Sequence, residues 1–116
     1  MMMRLYLAAL VLLFSVGIGF AHPQLEKTIP PVGSTVAVAP PEIRIFFTQA
    51  LNTALSNIAL AADSGTPVAV GRAVVDGQQM AVKLPPLAPG KYRVYWHAVS
   101  TDSHELDGHY SFEVGH

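Results

Sequence analysis

The chain contains no cysteine among its 116 residues. That excludes disulfides and any metal site built on thiolate sulfur. Charge is scarce as well: seven Lys+Arg stand against eight Asp+Glu, a formal net charge of −1. Without a basic face to neutralise phosphates, nucleic acid is excluded as a partner. Methionine is almost confined to the start, where residues 1–3 account for three of the four and Met80 is the other. Beyond residue 22 the chain has no internal repeat, no low-complexity tract and no helical periodicity.

The one long apolar run is at the beginning. Arg4 is the only charge in the first 21 residues; "LYLAALVLLFSVGIGF" follows it and Ala21 closes the segment. A basic start, an apolar stretch and small residues at Gly19 and Ala21 have the layout of a secretory signal cut after Ala21. The alternative is a membrane anchor. The run is near the lower limit for crossing a bilayer and no basic stop-transfer cluster follows it, which favours the signal. Residues 1–21 are therefore read as a cleavable signal peptide and 22–116 as a single domain. Cleavage leaves 95 residues with six Lys+Arg and eight Asp+Glu, a net charge of −2. A domain of that size buries a workable core, with a modest margin and no disulfide to help.

Alternation with a period of two runs through the domain. "EIRIFFT" sets Ile43, Ile45 and Phe47 on one face against Glu42, Arg44 and Thr48. "QMAVKL" groups Met80, Val82 and Leu84. "KYRVYWHAV" sets Tyr92, Val94, Trp96 and Ala98 against Arg93, Tyr95, His97 and Val99. "HYSFEV" sets Tyr110, Phe112 and Val114 against His109, Ser111 and Glu113. This pattern marks half-buried strands. "QLEKTI", "NIALAA" and "PVAVG" bring the number to about seven. The turn signals between them, "PPVGS", "APPE", "ADSGTP", "VDGQQ", "PPLAPG" and "STDSHELDG", use proline's fixed φ and glycine's tolerance of positive φ. The fold class this predicts is all-β: a seven-stranded antiparallel Greek-key β-sandwich, immunoglobulin-like and cupredoxin-like in outline, with Trp96 in the core.

All five histidines lie beyond the signal. Solvation at the surface is the default for each. His116 is terminal, His109 opens a strand on its polar side, and His97 shares an outward face with Arg93 and Tyr95, where it could neighbour a site. His22 and His104 stand apart. Cleavage after Ala21 gives His22 a free α-amine beside its imidazole, so one residue closes a chelate ring through amine nitrogen and Nδ1. With pKa values near ~8 and ~6.5, both nitrogens are deprotonated by a strongly binding metal at neutral pH. Pro23 has no amide proton to lose, which blocks the competing mode in which successive backbone amides bind the ion. "STDSHELDG" adds Asp102 and His104 at D-x-H spacing; in an extended segment such residues project to one side, roughly 6.5 to 7 Å apart. Amine, two imidazoles and a carboxylate make a tetragonal N,O set that suits Cu(II), one ion per chain.

Four segments together resemble the CopC family of periplasmic copper-resistance proteins: "HPQL"; "PPVGSTVAVAPPEIRIFF"; "LAPGKYRVYWHAVSTDSH"; and "GHYSFEV". The resemblance runs nearly the length of the domain and "WHAVSTDSH" is its most specific part. It implies a seven-stranded Greek-key β-sandwich in the periplasm, with Cu(II) held by the mature N-terminal histidine and the D-x-H pair, here His22, Asp102 and His104. It also implies a copper carrier or buffer in copper resistance or uptake, working with an inner-membrane CopD-type partner. Two departures stand out. Many members have a glutamate near the ion in "S-E-P" or a similar triplet, where this chain has "TQA"; Gln49 can accept a hydrogen bond or sit weakly at an axial position but carries no charge. Some members add a methionine-rich Cu(I) site, whereas Met80 falls on the inward side of its strand and suits packing. A Cu(II)-only protein is expected.

No catalytic residue is assigned and an enzyme is not expected. A copper monooxygenase also uses an N-terminal histidine chelate on a β-sandwich, but with an open oxygen position; Asp102 as an added carboxylate favours the oxidised ion and opposes redox cycling. The other alternative is an interaction module whose histidines are merely solvated. A domain with charged, Pro-rich strand boundaries is expected to be a monomer.

Overall fold

The computed structural model describes residues 24–115. The signal segment, His22, Pro23 and His116 lie outside them. The described residues hold nine strands and no helix: β1 (Leu25–Ile29), β2 (Thr35–Val36), β3 (Glu42–Phe47), β4 (Asn57–Ala62), β5 (Pro67–Val68), β6 (Val74–Asp76), β7 (Gln79–Lys83), β8 (Gly90–Val99) and β9 (Glu105–Val114). They form two sheets, of order β1-β3-β7-β6 and β2-β9-β8-β4-β5. The chain changes sheet at five of its eight connections, so both sheets are stitched across one core.

The inward residues of the alternating segments are that core. Ile43, Ile45, Phe47, Met80, Val82, Tyr92, Val94, Trp96, Ala98, Tyr110, Phe112 and Val114 are all buried. Each large apolar side chain so placed contributes about 1.5–3 kcal/mol, which is how a disulfide-free domain of this size is held. Trp96 lies edge-on to Phe47, with ring centroids 6.3 Å apart, and 6.2 Å from Tyr110. It lies across Gly108, its cross-strand partner: a Cβ added there would stand 2.1 Å from Trp96 Cζ2. The Tyr110 phenol is buried and its pKa is pushed up to about 12, mainly by desolvation.

Four expectations need correction. Among the described residues the strands number nine, not seven: β2 and β6 are additional, and "PVAVG" forms only the two residues of β5. The sheets are not wholly antiparallel, because β2 pairs parallel with β9 through Thr35↔Glu113 and Val36↔Val114. Val99, at an outward position, is buried, because the β3–β4 connection folds over it: Asn52 N–H donates to Val99 O at 2.7 Å and Val99 N–H to the buried Ser56 Oγ at 3.0 Å. Finally, β9 starts at Glu105, so His109 sits in mid-strand. The β8–β9 pairing reaches Val99↔Glu105, and this leaves only Ser100–His104 as the turn.

Candidate metal centre

Asp102 and His104 lie in that five-residue connection. The structure brings them together, with His104 Nδ1 3.1 Å from Asp102 Oδ1. The means is not the expected one: the segment is a turn, with Ser103 at φ 72, and it is no extended run. Ser103 thus takes a left-handed conformation that residues other than glycine seldom adopt.

Ser100, which the sequence reading left without a role, organises the turn. It is buried and forms an isolated bridge with Leu51. Its backbone N–H donates to His104 O at 2.9 Å and its carbonyl accepts from Ser103 N–H at 2.9 Å. Its hydroxyl donates to Asp102 Oδ1 and accepts from the His104 backbone N–H at 3.1 Å. One side chain thus fixes both residues of the D-x-H pair. The bond from Ser100, and after it the one from His104, holds the Asp102 carboxyl below its usual value of 3.8. Both bonds favour the ionised form, which is the form that ligates a metal. No local pattern marks Ser100, because its hydroxyl bonds a side chain two residues on and a backbone N–H four residues on.

The first described residues arrive at the same end of the molecule. Leu25 is opposite Phe47 in the β1–β3 ladder. One residue further out, Gln24 N–H donates to Thr48 Oγ1 at 3.1 Å and Gln24 O accepts from Thr48 N–H at 2.9 Å. Two residues after Thr48, Ala50 O accepts from Thr101 N–H at 3.0 Å, next to Asp102. Half-buried Gln49 is the residue between these two attachments. Gln24, Gln49, Asp102 and His104 therefore share one rim of the sandwich. His22 is two residues ahead of Gln24, outside the described residues. Met80 is fully buried in the core, as a packing residue. His97 and His109 are not part of this rim; they stand on the outer face of the five-stranded sheet.

A protein-family model described as the CopC domain matches residues 25–115. Copper resistance protein C of Escherichia coli is 35% identical over 104 residues, covering 81% of this chain and 82% of that protein. Among solved structures, CopC from Methylosinus trichosporium OB3b superposes with a TM-score of 0.77 at 28% identity, over 81% of this chain and 94% of that one. PcoC, a methionine-rich copper resistance protein from Escherichia coli, gives 0.73 at 35% identity, over 81% and 99%. A match across almost every described residue, on a two-sheet sandwich with the D-x-H turn at its rim, settles the kinship: the chain belongs to the CopC family.

Proposed function

We propose that this protein is exported to the periplasm and there binds one Cu(II) ion, through the amine and imidazole of His22 together with Asp102 and His104, as a carrier or buffer in copper resistance or uptake. The observation that supports it most is the convergence of two attachments: Gln24 bound to Thr48, and Thr101 bound to Ala50. His22 is two residues ahead of Gln24, and two residues of chain reach at most about 7 Å, so the proposed coordination requires that reach to suffice. Family membership supports copper as the ion, and the donor set of nitrogens and one carboxylate fits Cu(II).

The chemistry is capture without turnover. The ionised Asp102 would offset the ion's charge, the two imidazoles and the amine would supply its nitrogen donors, and the neutral Gln49 leaves the site one negative charge poorer than a glutamate would. Replacing Gln49 by Glu is expected to tighten Cu(II) binding. Competition titration with a Cu(II) chelator measures it, and unchanged or weaker binding would count against Gln49 lying beside the ion.

The decisive comparison is between the protein beginning at His22 and the same protein with a methionine retained ahead of it. The extension removes the amine from the chelate, and affinity should fall by orders of magnitude. Equal affinities would overturn the proposal. Mass spectrometry of the exported protein tests the start site directly. An inner-membrane transporter of the CopD type is the partner this reading calls for. Vesicles bearing such a transporter should draw copper from the loaded protein faster than bare vesicles, and equal rates would remove the partner.

A further inference from the structure

A second triplet with the same spacing follows the first: Asp107-Gly108-His109. It lies inside β9, where the backbone is extended and residues two apart point to one side. Asp107 and His109 are exposed, on the face opposite Tyr110 and Phe112 of the core. The β8–β9 register sets His97 directly across from Asp107, and Tyr95 across from His109. His97 Nδ1 already contacts Asp107 Oδ1. His97 and His109 are thus diagonal neighbours on one face, about 7–8 Å apart along the ladder, close enough for two imidazoles to share an ion. On the adjoining strand the small Ala59 sits beside Tyr95 and opens a shallow cavity of about 480 Å³, which Asn57, Tyr95, His97, Asp107 and His109 line.

We propose that the outer face of the five-stranded sheet carries a second, weaker Cu(II) site formed by Asp107, His109 and His97. Two imidazoles and a carboxylate are a donor set that Cu(II) binds most strongly among the common divalent ions. The site is not assembled beforehand. Among the described residues no three such side chains converge as a metal-ligating group. The His109 ring is instead turned against Tyr95, with centroids 5.9 Å apart and planes inclined at 40°. Capture of an ion requires His109 to rotate away from Tyr95 and the ion to take over the His97–Asp107 contact. Asp107 and His109 are both at the surface, so their rearrangement disturbs no core packing. The need for it, and the lack of a two-nitrogen chelate from a single residue, make this site the weaker. It gives the protein capacity for a second ion when copper is abundant, and its openness to solvent lets that ion leave readily.

The site does not depend on where the mature chain begins. Purified protein free of added histidines, titrated with Cu(II) and followed by calorimetry and paramagnetic resonance, is expected to take up two equivalents in separate phases. His97→Ala with His109→Ala should weaken the second phase by more than about tenfold, as loss of ligands or of their direct supports does, and leave the first in place. Asp102→Ala with His104→Ala should do the reverse. In the unaltered protein, the second equivalent should broaden the ring resonances of His97, His109 and Tyr95. A single equivalent that the His97/His109 replacements leave in place would overturn the proposal, and so would a second phase that survives them; a single equivalent that those replacements abolish would instead overturn the His22 reading. Circular dichroism checks the fold of each variant, and Asp107→Asn, a near-isosteric change on the exposed face, should weaken the same phase.

Discussion

Two Asp-x-His triplets lie five residues apart, and the backbone makes different things of them. Asp102-Ser103-His104 is on a turn, drawn together by Ser100 from below, with its middle residue at positive φ. Asp107-Gly108-His109 is on an extended strand, and its middle residue faces the core beneath Trp96. Spacing alone does not set the geometry of such a pair; the conformation of the residue between the aspartate and the histidine does. In the first triplet a buried hydroxyl fixes the aspartate and the histidine together. In the second, strand geometry points the two side chains outward, and the proposed ion would have to finish the arrangement.

The comparison breaks most visibly at the ligands. His104→Ala should reduce Cu(II) affinity by more than about 100-fold, beyond what outer partners of a ligand usually contribute, whereas His109→Ala should leave the tight phase unchanged. Chelator competition at neutral pH separates the two outcomes. Similar losses in both variants would mean that the triplets belong to one site.

The next largest effect concerns the second triplet's middle residue. A Cβ at position 108 meets Trp96 Cζ2 at 2.1 Å, and the Trp96 indole is packed against Phe47 and Tyr110. Gly108→Ala should cost about 3 kcal/mol, at the upper end of ordinary overpacking, read as a lower denaturant midpoint with unchanged slope. A loss below about 0.5 kcal/mol, within the scatter of surface substitutions, would show that the indole moves aside freely.

These contrasts also show what could be read from residue types alone. Strands β3, β7, β8 and β9 were legible because each alternates along most of its length and one face meets the other sheet. β2 and β6 were not: β2 is two residues held by the edge of β9, and β6 begins with Val74, which is 71% exposed. Val99 followed the alternation yet is covered by a loop, a tertiary fact that no local pattern carries. Asp102 and His104 were legible as a pair, but their geometry was not, because the turn depends on Ser100 and on a left-handed Ser103. Treating "ELDG" as loop hid the second triplet, since Asp107 and His109 share a face only once β9 is known to start at Glu105.

Removing the hydroxyl beneath the first triplet should have a smaller, composite effect. Ser100→Ala leaves the buried turn short of a donor and an acceptor and should cost about 1–3 kcal/mol of stability. It should also weaken copper binding by about 10–100-fold, as loss of a partner that orients a ligand does. The apo protein offers an independent check. The folded Asp102 pKa is lowered, so its contribution to stability is present above the unfolded value of 3.8 and is lost as pH falls through the lower folded value. A carboxyl resonance followed by NMR should therefore titrate below 3.8 in the unaltered protein and move upward in Ser100→Ala. An unmoved midpoint would show that His104, and not Ser100, sets the ionisation.

The smallest effect has the opposite sign, and it returns to the middle residues. Ser103 occupies the conformation that suits glycine, while Gly108 occupies an extended one that would suit a side chain if Trp96 were absent. A left-handed residue with a Cβ costs roughly 1–2 kcal/mol, and the greater freedom of glycine in the unfolded chain returns about 0.5–1 of that. Ser103→Gly should thus stabilise the fold by roughly 0.5 kcal/mol, the difference between those two terms. It should barely alter copper affinity, because Ser100 orients Asp102 and His104 without any bond from the Ser103 side chain. If Ser103→Gly instead loosens copper binding as much as Ser100→Ala does, the rigidity of the turn depends on the left-handed serine, and the division of labour between the two serines is wrong.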